Sequence, residues 1–84
     1  MIEYINGKIV SKNLDTIIME INGIGYIINV SSLTLNKLPN HTQNTKIYIS
    51  ESTNMYSGTN TWYGFLTKEE RDLFEVIKSI QKIG

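Results

Sequence analysis

Eighty-four residues suit one small domain with a modest core, and the absence of cysteine excludes disulfides and thiolate metal sites. Eight Lys and Arg offset eight Asp and Glu, so the chain lacks the basic surplus of a free-standing nucleic-acid binder, and any phosphate contacts are expected to be few, made by backbone amides, or supplied by further parts of the protein. The start, Met1-Ile2-Glu3-Tyr4-Ile5, has no secretion-signal layout, and no apolar run approaches a membrane span; a cytoplasmic setting without membrane contact is the expectation.

Residues 2 to about 66 read as β. Ile5 and Ile9 share one face of a first strand, and Gly7 between them predicts a bend or a close backbone approach. Ser11-Lys12-Asn13-Leu14 reads as a polar break. Ile17, Met19 and Ile21 alternate with Thr16, Ile18 and Glu20, the period of a half-buried strand. Asn22-Gly23 favours positive φ in a tight turn, and Tyr26, Ile28 and Val30 continue on one face, so residues 15–30 form a hairpin. Between Ser31 and Thr45 the only regular feature is a short helical turn near Leu33–Lys37, which Leu38-Pro39-Asn40 ends because proline disfavours helix in its predecessor. Lys46–Glu51 is a fourth strand with Ile47 and Ile49 inward. Ser57-Gly58-Thr59-Asn60 is read as a second hairpin tip, and Thr61–Phe65 as a fifth strand.

At Thr67 the period changes. Thr67-x-x-Glu70 is a capping box, in which the Thr hydroxyl accepts the Glu70 amide hydrogen and the Glu side chain reaches back. Leu73, Phe74, Ile77 and Ile80 follow a helical stripe, expected to pack the helix onto its neighbours. Lys68, Glu69, Arg71, Asp72, Glu75 and Lys78 are expected to form a solvated face, with fraying near Ser79–Gln81. The fold class is therefore mainly β: a small barrel followed by a C-terminal α-helix. Periodicity leaves an oligonucleotide-binding (OB) barrel and an SH3-like barrel equally open.

No catalytic set emerges. His41 is the single histidine, in a polar loop without Cys or a second His, so neither a metal site nor a Ser/His/Asp arrangement can be built around it. Asn29-Val30-Ser31 and Asn40-His41-Thr42 match the glycosylation pattern but carry no meaning without a secretion signal, and no Gly-rich phosphate loop is present. No cofactor and no enzymatic activity are expected. Trp62, Tyr63 and Phe65 are read as core and packing surface rather than as a base-stacking platform. The same holds for Tyr4, Tyr26 and Tyr48, with Tyr56 beside the second tip as the exception. Lys8, Lys12, Lys37 and Lys46 are read as scattered solubilising charges rather than phosphate contacts.

Four pieces in order resemble the RuvA family: Met1-Ile2-x-x-Ile5-x-Gly7-x-Ile9, Asn22-Gly23-Ile24-Gly25-Tyr26, Leu38-Pro39, and Tyr63-Gly64-Phe65 followed by Lys68-Glu69-Glu70-Arg71-x-Leu73-Phe74. The resemblance covers essentially the whole chain. It implies an OB-like barrel over residues 1–66. Residues 67–84 would then be the first helix and hairpin start of a helix-hairpin-helix domain that the chain carries only in part. It also implies a non-catalytic scaffold that binds four-way junction DNA as a homotetramer and recruits the hexameric ATPase RuvB for branch migration. By the same resemblance Lys82, Ile83 and Gly84 fall at the phosphate-binding hairpin, Lys82 replacing its first glycine and Gly84 keeping the second. Ser57, Gly58, Thr59 and Asn60 fall at the family's acidic pin, where none of the four is acidic. Two other readings fit the composition, a generic single-strand-binding barrel and a barrel that only mediates protein contacts.

Overall fold

The computed structural model describes residues 1–38 and 44–83, the last three of these by backbone alone. Its elements run β1 (Tyr4–Lys12), β2 (Thr16–Ile21), β3 (Ile24–Asn29), α1 (Ser32–Lys37), β4 (Thr45–Thr53), β5 (Asn60–Phe65) and α2 (Lys68–Ile83). The strands close into a barrel in the order β1-β2-β3-β5-β4, and β4 returns to β1. Every pairing is antiparallel except the short parallel contact of β3 with β5 at Asn29 and Tyr63. This closed five-strand arrangement with a terminal helix is OB-like.

The N-terminal half of β1 pairs with β4 and the C-terminal half with β2, so one strand serves two neighbours. A bulge between Ile9 and Ser11 makes that possible by bending the strand. Consequently Ser11 and Lys12 continue the strand and are not a break; Lys12 instead donates from Nζ to the Leu38 carbonyl at 2.6 Å. Gly7 sits where a Cβ would lie 2.8 Å from the Glu20 carbonyl oxygen, the close approach its sequence position predicts. Gly64 meets the same constraint from inside: a Cβ there would lie 2.7 Å from methyls of Ile28 and Ile47. The β2–β3 turn has φ of 52° at Asn22 and 82° at Gly23, as a tight hairpin with right-handed twist demands.

The inward residues are those that alternation selects: Ile9, Ile17, Met19, Ile28, Val30, Ile47 and Ile49 form the core with Leu38. The short helix α1 is capped by Ser31, whose Oγ accepts the Thr34 amide at 3.1 Å. It ends at Leu38, which is extended as a residue before proline should be. Leu38 and Leu35 close over the core. The expectations placed on Pro39, Asn40, His41 and Thr42 lie outside the described residues.

Helix α2 begins as predicted at Thr67. The Glu70 amide donates to Thr67 Oγ1 at 3.1 Å, and the Glu70 carboxylate accepts from that hydroxyl at 3.0 Å. The helix continues without a break through Ser79–Gln81 to Ile83. Its orientation overturns the expectation for both faces. Arg71, Phe74, Glu75 and Lys78 lie at i, i+3, i+4 and i+7, and this side meets the barrel. Leu73, Val76, Ile77 and Ile80 repeat the same spacing two residues on, about 200° round the helix, and all four are exposed. Of the predicted apolar stripe only Phe74 packs inward, its ring 5.2 Å from Tyr63 and 5.1 Å from Phe65.

Candidate functional site

Two features project beyond the barrel core: the β4–β5 hairpin and the seam that holds α2. The seam is built around Arg71, which is 7% exposed. Its Nη1 donates to the backbone carbonyls of Glu3 and Ile49, each at 3.1 Å, and Nη2 reaches the Glu3 carboxylate at 3.1 Å. Nε meets Asp72 at 2.9 Å. The two carboxylates hold the guanidinium above its ordinary pKa, Asp72 contributing most, and outweigh its burial. Arg71 thus ties the helix to the β1–β4 edge, where Ile49 N also donates to the Glu3 carbonyl at 3.1 Å.

One turn further on, Ser50 is buried in β4 and donates to Glu75 Oε1 at 2.7 Å. Lys78 Nζ places its three donors on Ser50 Oγ (3.1 Å), the Glu51 carbonyl (3.1 Å) and Glu75 Oε2 (3.3 Å). Burial pushes the Glu75 carboxyl up, but the bonds from Ser50 and Lys78 outweigh it, and the net shift is downward. A carboxylate with a depressed folded pKa contributes stability above its ordinary value near 4.5 and loses it as pH falls through the folded value. Glu75→Gln is therefore expected to flatten the decline of the urea midpoint between about pH 5 and pH 3. A decline as steep as in the wild type would show that this cluster does not couple to folding.

The β4–β5 ladder extends from Tyr48↔Phe65 out to Thr53↔Asn60. Its connection is Asn54–Thr59, so Ser57, Gly58 and Thr59 lie in the turn while Asn60 opens β5. Asn54 organises the turn: its Oδ1 accepts the amides of Tyr56 (2.9 Å) and Ser57 (3.2 Å), its carbonyl accepts Gly58 N, and its amide donates to the Thr59 carbonyl. Gly58 takes a φ of 72°. The nearest carboxylate, Glu51, points back down the strand to accept the Ile2 amide at 3.2 Å.

The aromatic residues divide as expected. Trp62 packs against the core and stacks on Tyr26 at 5.3 Å and 7°, and Tyr63 and Phe65 receive Phe74. Tyr4 meets Tyr48 edge-on and carries Lys46 over its ring. Tyr56 stands apart, fully exposed. Lys82 and Ile83 belong to the last turn of α2, and Gly84 lies outside the described residues. Sequence reasoning missed Arg71, Ser50 and Lys78 as seam residues. The available signal was that Arg71, Glu75 and Lys78 share the face of Phe74. Among the described residues no three His, Cys, Asp or Glu side chains converge on a metal position, and no helix is long and apolar enough to cross a membrane.

Comparison with known proteins places these features in context. The family described as the RuvA N-terminal domain matches residues 1–55. Three similar relatives are each named Holliday junction branch migration complex subunit RuvA. That of Endomicrobium trichonymphae is 48% identical over 79 residues, covering 93% of this chain and 39% of its own. That of Elusimicrobium minutum is 39% identical over 79 residues, covering 94% and 38%. That of Methylocella silvestris is 36% identical over 84 residues, covering 100% and 39%. The chain spans about two fifths of the length of these relatives.

Proposed function

The chain belongs to the RuvA N-terminal domain family, and from that premise we propose that it is the barrel and first helix of a scaffold that binds four-way DNA junctions. Likeness that runs continuously through barrel, hairpin and capped helix carries this reading. Residues 1–66 form its barrel unit, and residues 67–84 open a helical unit. The exposed Leu73, Val76, Ile77 and Ile80 face supports that division, because an apolar stripe of this width needs a partner. In the longer protein, helices following α2 cover it.

The scaffold has no chemistry of its own. It assembles as a homotetramer around the junction and hands the DNA to a hexameric ATPase of the RuvB type, which drives branch migration. Phosphate contacts come from Lys82 and Ile83 in the last turn of α2 and from Gly84, which follows them in the sequence, where backbone amides substitute for a basic surface. A neutral barrel is compatible with this division of labour, since the charge needed for binding need not reside on it.

The test is a competition between a four-way junction and a linear duplex of equal length for the full-length protein, at one stated salt concentration, because phosphate contacts make affinity steeply salt-dependent. The junction is expected to bind at least about tenfold tighter, equivalent to roughly 1.4 kcal/mol. Equal affinity would overturn the assignment, and tight binding confined to single strands would favour the generic OB reading instead.

A further inference from the structure

From Ser52 to Thr67 the sequence holds no Asp, Glu, Lys or Arg. This stretch includes the whole β4–β5 turn, so the turn neither attracts nor repels phosphate. What it offers is apolar surface. Tyr56 is 102% exposed and Met55 91%, and among the described residues neither side chain has a hydrogen-bond or ring partner. The backbone beneath them is organised by four hydrogen bonds that involve Asn54, so the Tyr56 side chain projects from a defined turn. A groove of about 520 Å³ runs from the two side chains along Ser52, Thr59 and Thr61 to Tyr63, lined by hydroxyls rather than charges.

We propose that Tyr56, with Met55 beside it, stacks on a nucleobase at the branch point of the junction. This deepens the junction-binding reading and rests on it. In continuous duplex both faces of each base pair are covered by neighbours. At a branch point stacking is interrupted, and a base face becomes available to an aromatic ring. A neutral ring at the end of a stiff hairpin suits that surface, and the hydroxyl-lined groove admits the displaced edge of the base. The hairpin therefore acts through stacking, where a charged tip would act through repulsion. Because the ring finds no such face in linear duplex, it adds preference for the junction rather than general affinity.

The experiment uses the full-length protein and a four-way junction carrying 2-aminopurine at the branch point, whose emission reports on stacking. Binding is expected to change that emission, Tyr56→Ala to abolish the change, and Tyr56→Phe to keep it. Junction affinity should fall about tenfold in Tyr56→Ala, as loss of one base–aromatic stack implies, with duplex affinity unaltered. Unchanged emission and affinity in Tyr56→Ala, in a protein that still prefers junctions, would overturn stacking while leaving the functional reading intact. Equal losses in Tyr56→Ala and Tyr56→Phe would assign the contact to the hydroxyl and overturn it too. A wild-type protein without junction preference would sink the underlying assignment itself.

Discussion

Arg71→Ala is expected to destabilise the chain by about 2–3 kcal/mol, the cost of leaving the buried Ile49 carbonyl without its Arg71 donor plus the loss of charge-assisted bonds. That is a large share of what so small a domain possesses. The carboxylates of Glu3 and Asp72 are each 55% exposed and recover water when the guanidinium is removed, so their ion pairs contribute little. The Ile49 carbonyl is the acceptor that loses its partner, because its bond to Arg71 is buried, whereas the Glu3 carbonyl is partly buried and keeps the Ile49 amide. Arg71→Lys keeps the charge but not the fork that reaches both carbonyls and Glu3 at once, and should recover less than half of the loss. Urea unfolding provides the measurement: the midpoint should fall with an unchanged slope. A loss under about 1 kcal/mol would mean that water replaces the guanidinium without penalty.

The consequence reaches beyond stability. Helix α2 has 16 residues and extends about 24 Å at 1.5 Å per residue. Arg71 lies in its first turn and Lys78 two turns later, and both are anchored to β4. These two anchors set the angle at which the far end, with Lys82 and Ile83, leaves the barrel. On the proposed function, that angle determines where the phosphate-binding turn stands relative to the β4–β5 hairpin.

Much of this architecture was legible in the sequence because local chemistry dictated it. Asn22-Gly23 required its turn, alternation selected Ile17, Met19, Ile28, Ile47 and Ile49 for the core, and Thr67 with Glu70 marked the helix start. Where reading failed, the cause was non-local. Periodicity assigns the apolar side of a helix to the inside, and in α2 that rule chose the wrong side. The barrel had already filled its core with its own isoleucines, and the edge it offered the helix displayed carbonyls and the Ser50 hydroxyl. Such an edge calls for donors, and Arg71 and Lys78 supply them. The Glu3 partner of Arg71, just ahead of β1, is 68 residues distant in sequence, so no local pattern signals it. In the sequence the hairpin tip reads as residues 57–60, whereas the turn begins at Asn54. The organising residue is Asn54, whose amide side chain replaces a ladder of backbone bonds.

The other large effect is conditional on the rest of the protein. Replacing Leu73, Ile77 and Ile80 together with Gln should leave the 84-residue chain as stable as before, within about 0.5 kcal/mol, because substitutions at exposed positions rarely do more. The three are 61%, 46% and 64% exposed, and none joins the core cluster. In the longer protein the same change should remove about 5 kcal/mol, from burial of three large aliphatic side chains at roughly 1.5–3 kcal/mol each. The isolated chain should also self-associate at high concentration through this stripe, and the triple substitution should return it to monomer in sedimentation. If the substitution destabilises the 84-residue chain by several kcal/mol, the apolar side of α2 is buried against the barrel and Arg71, Glu75 and Lys78 do not form its inner face. If it spares the longer protein as well, no following helix rests on the stripe, and residues 67–84 do not open a second unit.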